Sequence, residues 1–172
     1  PEATLPYVGK TKDMVKSESY TRVLDRSAKA LEKKIAGKIS DNPYGVHFPY
    51  SVWGKGWHVQ GMGVELYYLH KNWPSIFPEK YFLNCLDYVL GSHPGKNTKS
   101  YVSAVGTNSI TTAYGINRGD WSYIPGGVAS GTGIILPDFP ELKHWPFLWQ
   151  QTEYVMGGGG TNFMFLALAA NH

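Results

Sequence analysis

Pro78-Glu79-Lys80-Tyr81-Phe82-Leu83-Asn84-Cys85-Leu86-Asp87-Tyr88-Val89-Leu90-Gly91 is the stretch on which the fold class turns. Proline suits the first turn of a helix, because the N–H it lacks would find no intrahelical partner there. Tyr81, Phe82, Cys85, Leu86, Val89 and Leu90 recur at spacings of three and four, which gathers them on one helical face. Gly91 follows, where helices commonly close in a left-handed turn. A start, an apolar face and a stop in fourteen residues predict a helix.

The same pattern repeats on either side. Val59 to about His70 predicts a helix with Met62, Leu66 and Leu69 on one side, ended by Trp73-Pro74. Further back, from about Asp13, Tyr20, Val23, Leu24, Ser27, Ala28, Leu31 and Ile35 form an apolar face opposite Lys29, Glu32, Lys33 and Lys34. Gly37 weakens that helix and Pro43 stops it. Between the two lies a loop, Asp41 to His58, with two prolines, several glycines and the indoles Trp53 and Trp57. Beyond Gly91, residues 92–143 lose helical periodicity and carry eight glycines and four prolines. Tyr101, Tyr114, Trp121 and Tyr123 in that stretch argue for an ordered, functional loop, with Tyr101 to Val105 a candidate short strand. After Pro146 a helix leads to Glu153, and a last one runs from Thr161 to about Asn171. The expected architecture is mainly α, residues 1–172 forming one domain with long glycine- and aromatic-rich loops.

Composition excludes several classes. Hydrophobic residues make up 42% and charged residues 17%, too apolar for intrinsic disorder. The net charge is +3, with the Lys and Arg concentrated in the first forty residues, which a solvated helix face explains without a nucleic-acid partner. No apolar run approaches the ~20 residues that span a bilayer. Cys85 is the single cysteine, so no internal disulfide forms. His47, His58, His93 and His144 match no zinc spacing. Gly157 to Gly160 follow no strand and precede no Gly-Lys-Ser/Thr, so they are not a phosphate loop and are expected to let the backbone turn tightly. No cofactor is expected.

Chemistry concentrates near the end: Trp149-Gln150-Gln151-Thr152-Glu153-Tyr154, with no Lys or Arg from 144 onward. Partial burial of a carboxyl among aromatic and amide groups, without a local cation, would raise its pKa, and a carboxylic acid kept protonated near neutral pH is what a general acid needs. A structural Glu at a helix end is the other reading of Glu153. Aromatic residues reach 15%. Flat rings of this kind serve sugar faces as well as cores.

Three blocks resemble the C-terminal part of glycoside hydrolase family 9, cellulases and exo-glycosidases on a six-hairpin (α/α)6 barrel. Asn42-Pro43-Tyr44-Gly45-Val46 with Trp53-Gly54 is similar to the family's proline-tyrosine-glycine-valine loop and its tryptophan. Leu86 to Pro94, then Ser100 to Gly106, is similar to its aspartate-tyrosine-leucine-leucine-glycine block and the serine-phenylalanine-valine continuation. Glu153 stands where the family has its asparagine-glutamate pair, followed by the Ala167-Leu168-Ala169 run of the closing helix. Thr152 replaces that asparagine and His93 the asparagine of the second block. Arg118 is similar in place to the family's sugar-binding arginine, whose two accompanying histidines have no counterpart.

The resemblance implies an inverting glycosidase acting on a β-linked oligo- or polysaccharide, with Glu153 as general acid and the carboxylates ~6.5–9.5 Å apart to admit water. Trp53, Trp57, Tyr114 and Trp121 would stack on sugar rings, and Asn117 and Arg118 would bond hydroxyls. The family's aspartate-alanine-glycine-aspartate motif is missing; Asp120 and Asp138 lie in the wrong context to supply the base. The base and the remaining barrel helices are therefore expected outside this chain, which begins without Met, and the location by resemblance is secreted or periplasmic. The alternative is a non-catalytic carbohydrate-binding or interaction module in which Glu153 is structural.

Overall fold

The computed structural model describes residues 18–51, 54–92, 94–110, 113–114, 121–131, 133–144, 154 and 158–171. Among these the chain is mainly helical. Helix α1 spans Glu18–Ile39, α2 Gly56–Asn72, α3 Lys80–Leu90 and α4 Gly158–Ala169. A single 3-10 turn, Pro140–Leu142, and one antiparallel pair of two-residue strands, β1 (Ala113–Tyr114) and β2 (Trp121–Ser122), complete the described elements.

Helix α3 follows its sequence signals closely. Pro78 opens the turn that leads in, its carbonyl accepting the Tyr81 N–H at 3.0 Å. Gly91 closes the helix with φ +76°, its N–H bonded to the Asp87 carbonyl. Tyr81, Phe82, Cys85, Leu86 and Val89 are buried as predicted, and Tyr88 joins them at 1% exposure because it packs edge-on against Tyr44, centroids 4.9 Å apart. Helix α2 begins three residues before the predicted Val59, at Gly56. That glycine's N–H bonds the Ser130 carbonyl at 2.6 Å, and a Cβ there would sit 2.9 Å from the same oxygen. Only glycine lets the helix start so close to the 129–131 segment.

Helix α2 is the centre of the packing. Gln60 is fully buried and its amide nitrogen donates to the Cys85 carbonyl at 2.9 Å, while Tyr67 and His70 both lie against Phe82. These contacts advance in opposite directions along the two chains, so α2 and α3 form an antiparallel hairpin. On the other side Gly61 faces Asn162, Gly63 faces Leu166, and Tyr67 and Tyr68 contact Phe165. There the contacts advance in the same direction, so α2 and α4 run parallel and both N-termini reach one rim. Burying side chains such as Leu66, Val59 and Leu166, each at 1% exposure or less, stabilises the trio by about 1.5–3 kcal/mol apiece.

Helix α1 docks less fully. Ala28 and Ile35 are buried, but Val23 and Leu31 of the predicted apolar face are 58% and 42% exposed. Among the polar contacts that hold it, Trp73 Nε1 donates to Asp25 at 2.7 Å and the Tyr81 hydroxyl donates to Glu32 at 2.9 Å. The predicted first residues, 13–17, lie outside the described residues. No described helix is long and apolar enough to cross a membrane.

Among its described residues, the long glycine-rich stretch is held by isolated bridges in addition to the short β1–β2 pair. Val102 pairs with Val128, Ser100 with Ser109, Ile134 with Ser51, and Ala129 with Tyr154. Tyr101 to Val105, a candidate strand, is a bend with one such bridge. Its Tyr101 and Val102 are nonetheless fully buried. Glu141 is also fully buried, in the 3-10 turn. Its Oε1 accepts the Ile135 N–H at 3.1 Å and its backbone carbonyl accepts from Asn97 at 2.8 Å. The last helix differs from expectation: Gly158, Gly159 and Gly160 form its first turn instead of a tight loop before it. The helix expected before Glu153 lies outside the described residues.

Candidate functional site

The rim shared by the N-termini of α2 and α4 carries a cavity of about 510 Å³. The loop from Asn42 to Tyr50 forms one wall. Asn42 bridges to Val46, and Asn84 of α3 donates to the Gly45 carbonyl at 2.9 Å. Gly45 has φ +67°, and a Cβ there would collide with the Asn84 amide, so both the turn and the close approach require glycine. This tether presents His47 and Phe48 to the cavity.

Trp57 and His58, in the first turn of α2, form the second wall. Their rings meet edge to face at 4.5 Å, and His58 also lies 5.8 Å from Phe48. Trp57 is 43% exposed, so its indole offers a free edge to the cavity. Gly61, Glu65, Gly158 and Asn162 line the base.

Both imidazoles are held neutral. Burial, with Lys38 adding to it, lowers His47 to about 4. Partial burial, then Lys55, lowers His58. The His47 Nδ1 atom is buried without a hydrogen-bond partner in the described structure. A neutral imidazole offers one donor and one acceptor, and Asn162 adds an amide with both. Flat apolar rings beside such groups suit a ligand carrying hydroxyls on a largely apolar ring. Among the described residues no group of three His, Cys, Asp or Glu side chains is placed to hold a metal ion.

Of the residues singled out in the sequence, Trp57 is the one whose side chain is placed in this cavity. Tyr114 and Trp121 face one another in register as the β1–β2 pair. Trp53, Asn117, Arg118 and Glu153 lie outside the described residues. Tyr154, next to Glu153, is described: it is 4% exposed and its hydroxyl meets Ser103 Oγ at 2.5 Å. Sequence reasoning did not single out His47, Glu65 or Asn162 as site residues. Each stands alone in a segment read for its apolar period or its turn chemistry, and only the parallel packing of α2 on α4 brings them together. Glu141 was missed for a similar reason, since a Glu after a proline in a loop reads as exposed.

Comparison of the chain with protein-family models, with curated proteins and with solved structures finds no match.

Proposed function

We propose that the chain is the C-terminal part of an inverting glycoside hydrolase acting on a β-linked glycan, with Glu153 as the general acid. The observation that carries the reading is convergence at one rim. The exposed indole of Trp57, two neutral imidazoles and the first turn of α4 enclose one cavity, and α4 begins five residues after Glu153. The antiparallel α2–α3 hairpin with α4 parallel to α2 is the unit that an (α/α)6 barrel repeats, and it supports the proposed architecture of one domain completed by further hairpins. In this proposal the water-activating carboxylate comes from those hairpins, outside these 172 residues. Trp53, Trp57, Tyr114 and Trp121 stack on sugar rings, Asn117 and Arg118 bond hydroxyls, no cofactor takes part, and the protein works outside the cytoplasm.

A second reading, a carbohydrate-binding module without catalysis, is favoured by the exposed indole of Trp57 and the two neutral imidazoles that line the cavity. Hydrolysis of a panel of β-linked oligosaccharides by the full-length protein separates the two. Glu153→Gln is expected to lower kcat by ~10²-fold or more, and Trp57→Ala to raise KM with little change in kcat. Equal cleavage by wild type and Glu153→Gln would remove the acid role. Binding of the sugars without cleavage would replace the hydrolase reading by the binding module.

A further inference from the structure

We infer that the rim cavity is the sugar end of a longer site whose second lobe takes an apolar aglycone, so that the ligand is a β-glycoside of a short alkyl or aryl group; this rests on the glycan reading above. The second lobe, of about 260 Å³, lies between α1 and α2. Leu31 and Ile35 of α1 and Leu66 and Leu69 of α2 form its aliphatic walls. His47 and Glu65 line this lobe and the rim cavity alike, so the two meet at those side chains. Helix α2 runs along both. Trp57 stands at the rim end and Leu69 at the other, about 18 Å apart at the rise of an α-helix. The hydrogen-bonding groups of His58 and Asn162 belong to the first end alone, and the four aliphatic side chains to the second alone. A ligand that spans the site therefore carries a hydroxyl-bearing ring at one end and an apolar group at the other.

Helix α1 is tied down on either side of Leu31's turn, at Asp25 and Glu32 by hydrogen bonds and at Ile35 by burial, yet Leu31 itself stays exposed beside the lobe. Close-packed interiors seldom leave such an opening between aliphatic side chains. Water there finds few hydrogen-bond partners, so an apolar group that displaces it gains affinity. Lys34 and Lys38, both exposed, complete the lobe; their methylene stems cover an apolar group while the ammonium groups stay in water. The size selects the occupant. The lobe has about half the volume of the rim cavity and falls just below the ~300–1,000 Å³ of a pocket for a whole drug-sized ligand. One short chain or ring fits, and the paired long chains of a membrane lipid do not.

The test is calorimetric titration of the full-length protein with methyl and octyl β-D-glucosides, the matching β-cellobiosides, and octanoate, all below micelle-forming concentrations. The octyl member of a pair is expected to bind ~10²-fold or more tightly than the methyl member, and octanoate more weakly than either octyl glycoside. Trp57→Ala should weaken the octyl glycosides by removing the sugar platform. Leu31→Glu, which puts a carboxylate beside the chain, should lower the octyl-to-methyl ratio by ~10-fold or more. Leu31→Trp, which fills the lobe with an apolar ring, should lower it too, and decides the matter should Leu31→Glu fail to fold. Methyl and octyl glycosides bound alike, or an octyl preference that both Leu31 variants keep, would overturn the inference and leave the glycan reading standing. Octanoate bound as tightly as the octyl glycosides would make the lobe a site for an anionic amphiphile held by Lys34 and Lys38, and would overturn it as well. Octyl binding untouched by Trp57→Ala, or binding of none of the four glycosides, overturns the glycan reading of the rim and this inference with it.

Discussion

Gly63 of α2 lies where that helix meets both neighbours, and a methyl group added there has nowhere to go. Its Cβ would stand 2.7 and 3.3 Å from the two δ-carbons of Leu166 in α4, and 2.9 Å from Cys85 Cβ in α3. Overpacking of this kind costs about 1–3 kcal/mol. Replacing a mid-helix glycine by alanine returns about 1 kcal/mol of helix propensity. The net effect of Gly63→Ala is therefore a destabilisation of about 0–2 kcal/mol. Leu166 is fully buried, so Leu166→Ala costs about 2–5 kcal/mol through lost transfer energy and the cavity left behind. The two changes are complementary. With Leu166 shortened, the new methyl occupies vacated space and retains only the Cys85 contact. Gly63→Ala in that background should then be nearly neutral or stabilising. The double variant should be more stable than the sum of the singles predicts by about 1 kcal/mol or more. Urea unfolding of the four proteins measures this coupling, and in a chain of this size 1 kcal/mol also appears as a Tm difference of about 2–4 °C. Additivity within about 0.5 kcal/mol would mean that Gly63 and Leu166 do not touch. The parallel packing of α2 on α4, and the shared rim that follows from it, would then be wrong.

Two further predictions concern buried titratable groups, and their signs oppose. His47 has its folded pKa depressed from 6.5 to about 4 by burial and Lys38, so its contribution is present above pH 6.5 and lost as pH falls toward 4. At about 1.4 kcal/mol per pKa unit the loss is on the order of 3 kcal/mol. His47→Asn should flatten the acid side of a plot of urea midpoint against pH, and a variant that declines in parallel with wild type refutes the assignment. Glu141 has its pKa raised above 4.5 by burial, against the lowering effect of its own N–H and that of Ile135. Its contribution is complete below pH 4.5 and lost as pH rises through the folded value. Glu141→Gln should remove that decline while keeping the acceptor for the Ile135 N–H, and the thermal midpoint measured from pH 4.5 upward would show no such difference if the carboxyl were solvated.

Much of the helical framework was legible because its signals are local. The Pro78 and Gly91 boundaries and the apolar face between them act within one helix, where a spacing of three or four residues is also a spatial neighbour. The long loop was legible as ordered from its aromatic residues, and Tyr101 is indeed at the core. Boundaries moved where a distant contact decided them: Gly56 enters α2 because of Ser130, and Gly158 to Gly160 enter α4 although glycine propensity alone opposes it. The face of α1 was read correctly as amphipathic, yet nothing local says that Val23 and Leu31 stay exposed while Ala28 and Ile35 are covered.

The candidate site divides along the same line. Trp57 could be singled out from sequence because an indole beside a histidine in a glycine-rich loop is chemically conspicuous on its own. His47 and Asn162 could not, since they stand 115 positions apart in the chain and no local period relates them. What the sequence by itself determined is that α1 to α4 are helical, where α3 starts and stops, and that the composition is too apolar for disorder. Only the tertiary structure decided that α2 and α4 run parallel, that their N-termini close one cavity, that two histidines there are neutral, and that Glu141 is buried. The reason is physical: helix formation is governed by neighbours within one or two turns, whereas burial, and with it the charge state of a side chain, depends on whichever distant segment happens to exclude water from it.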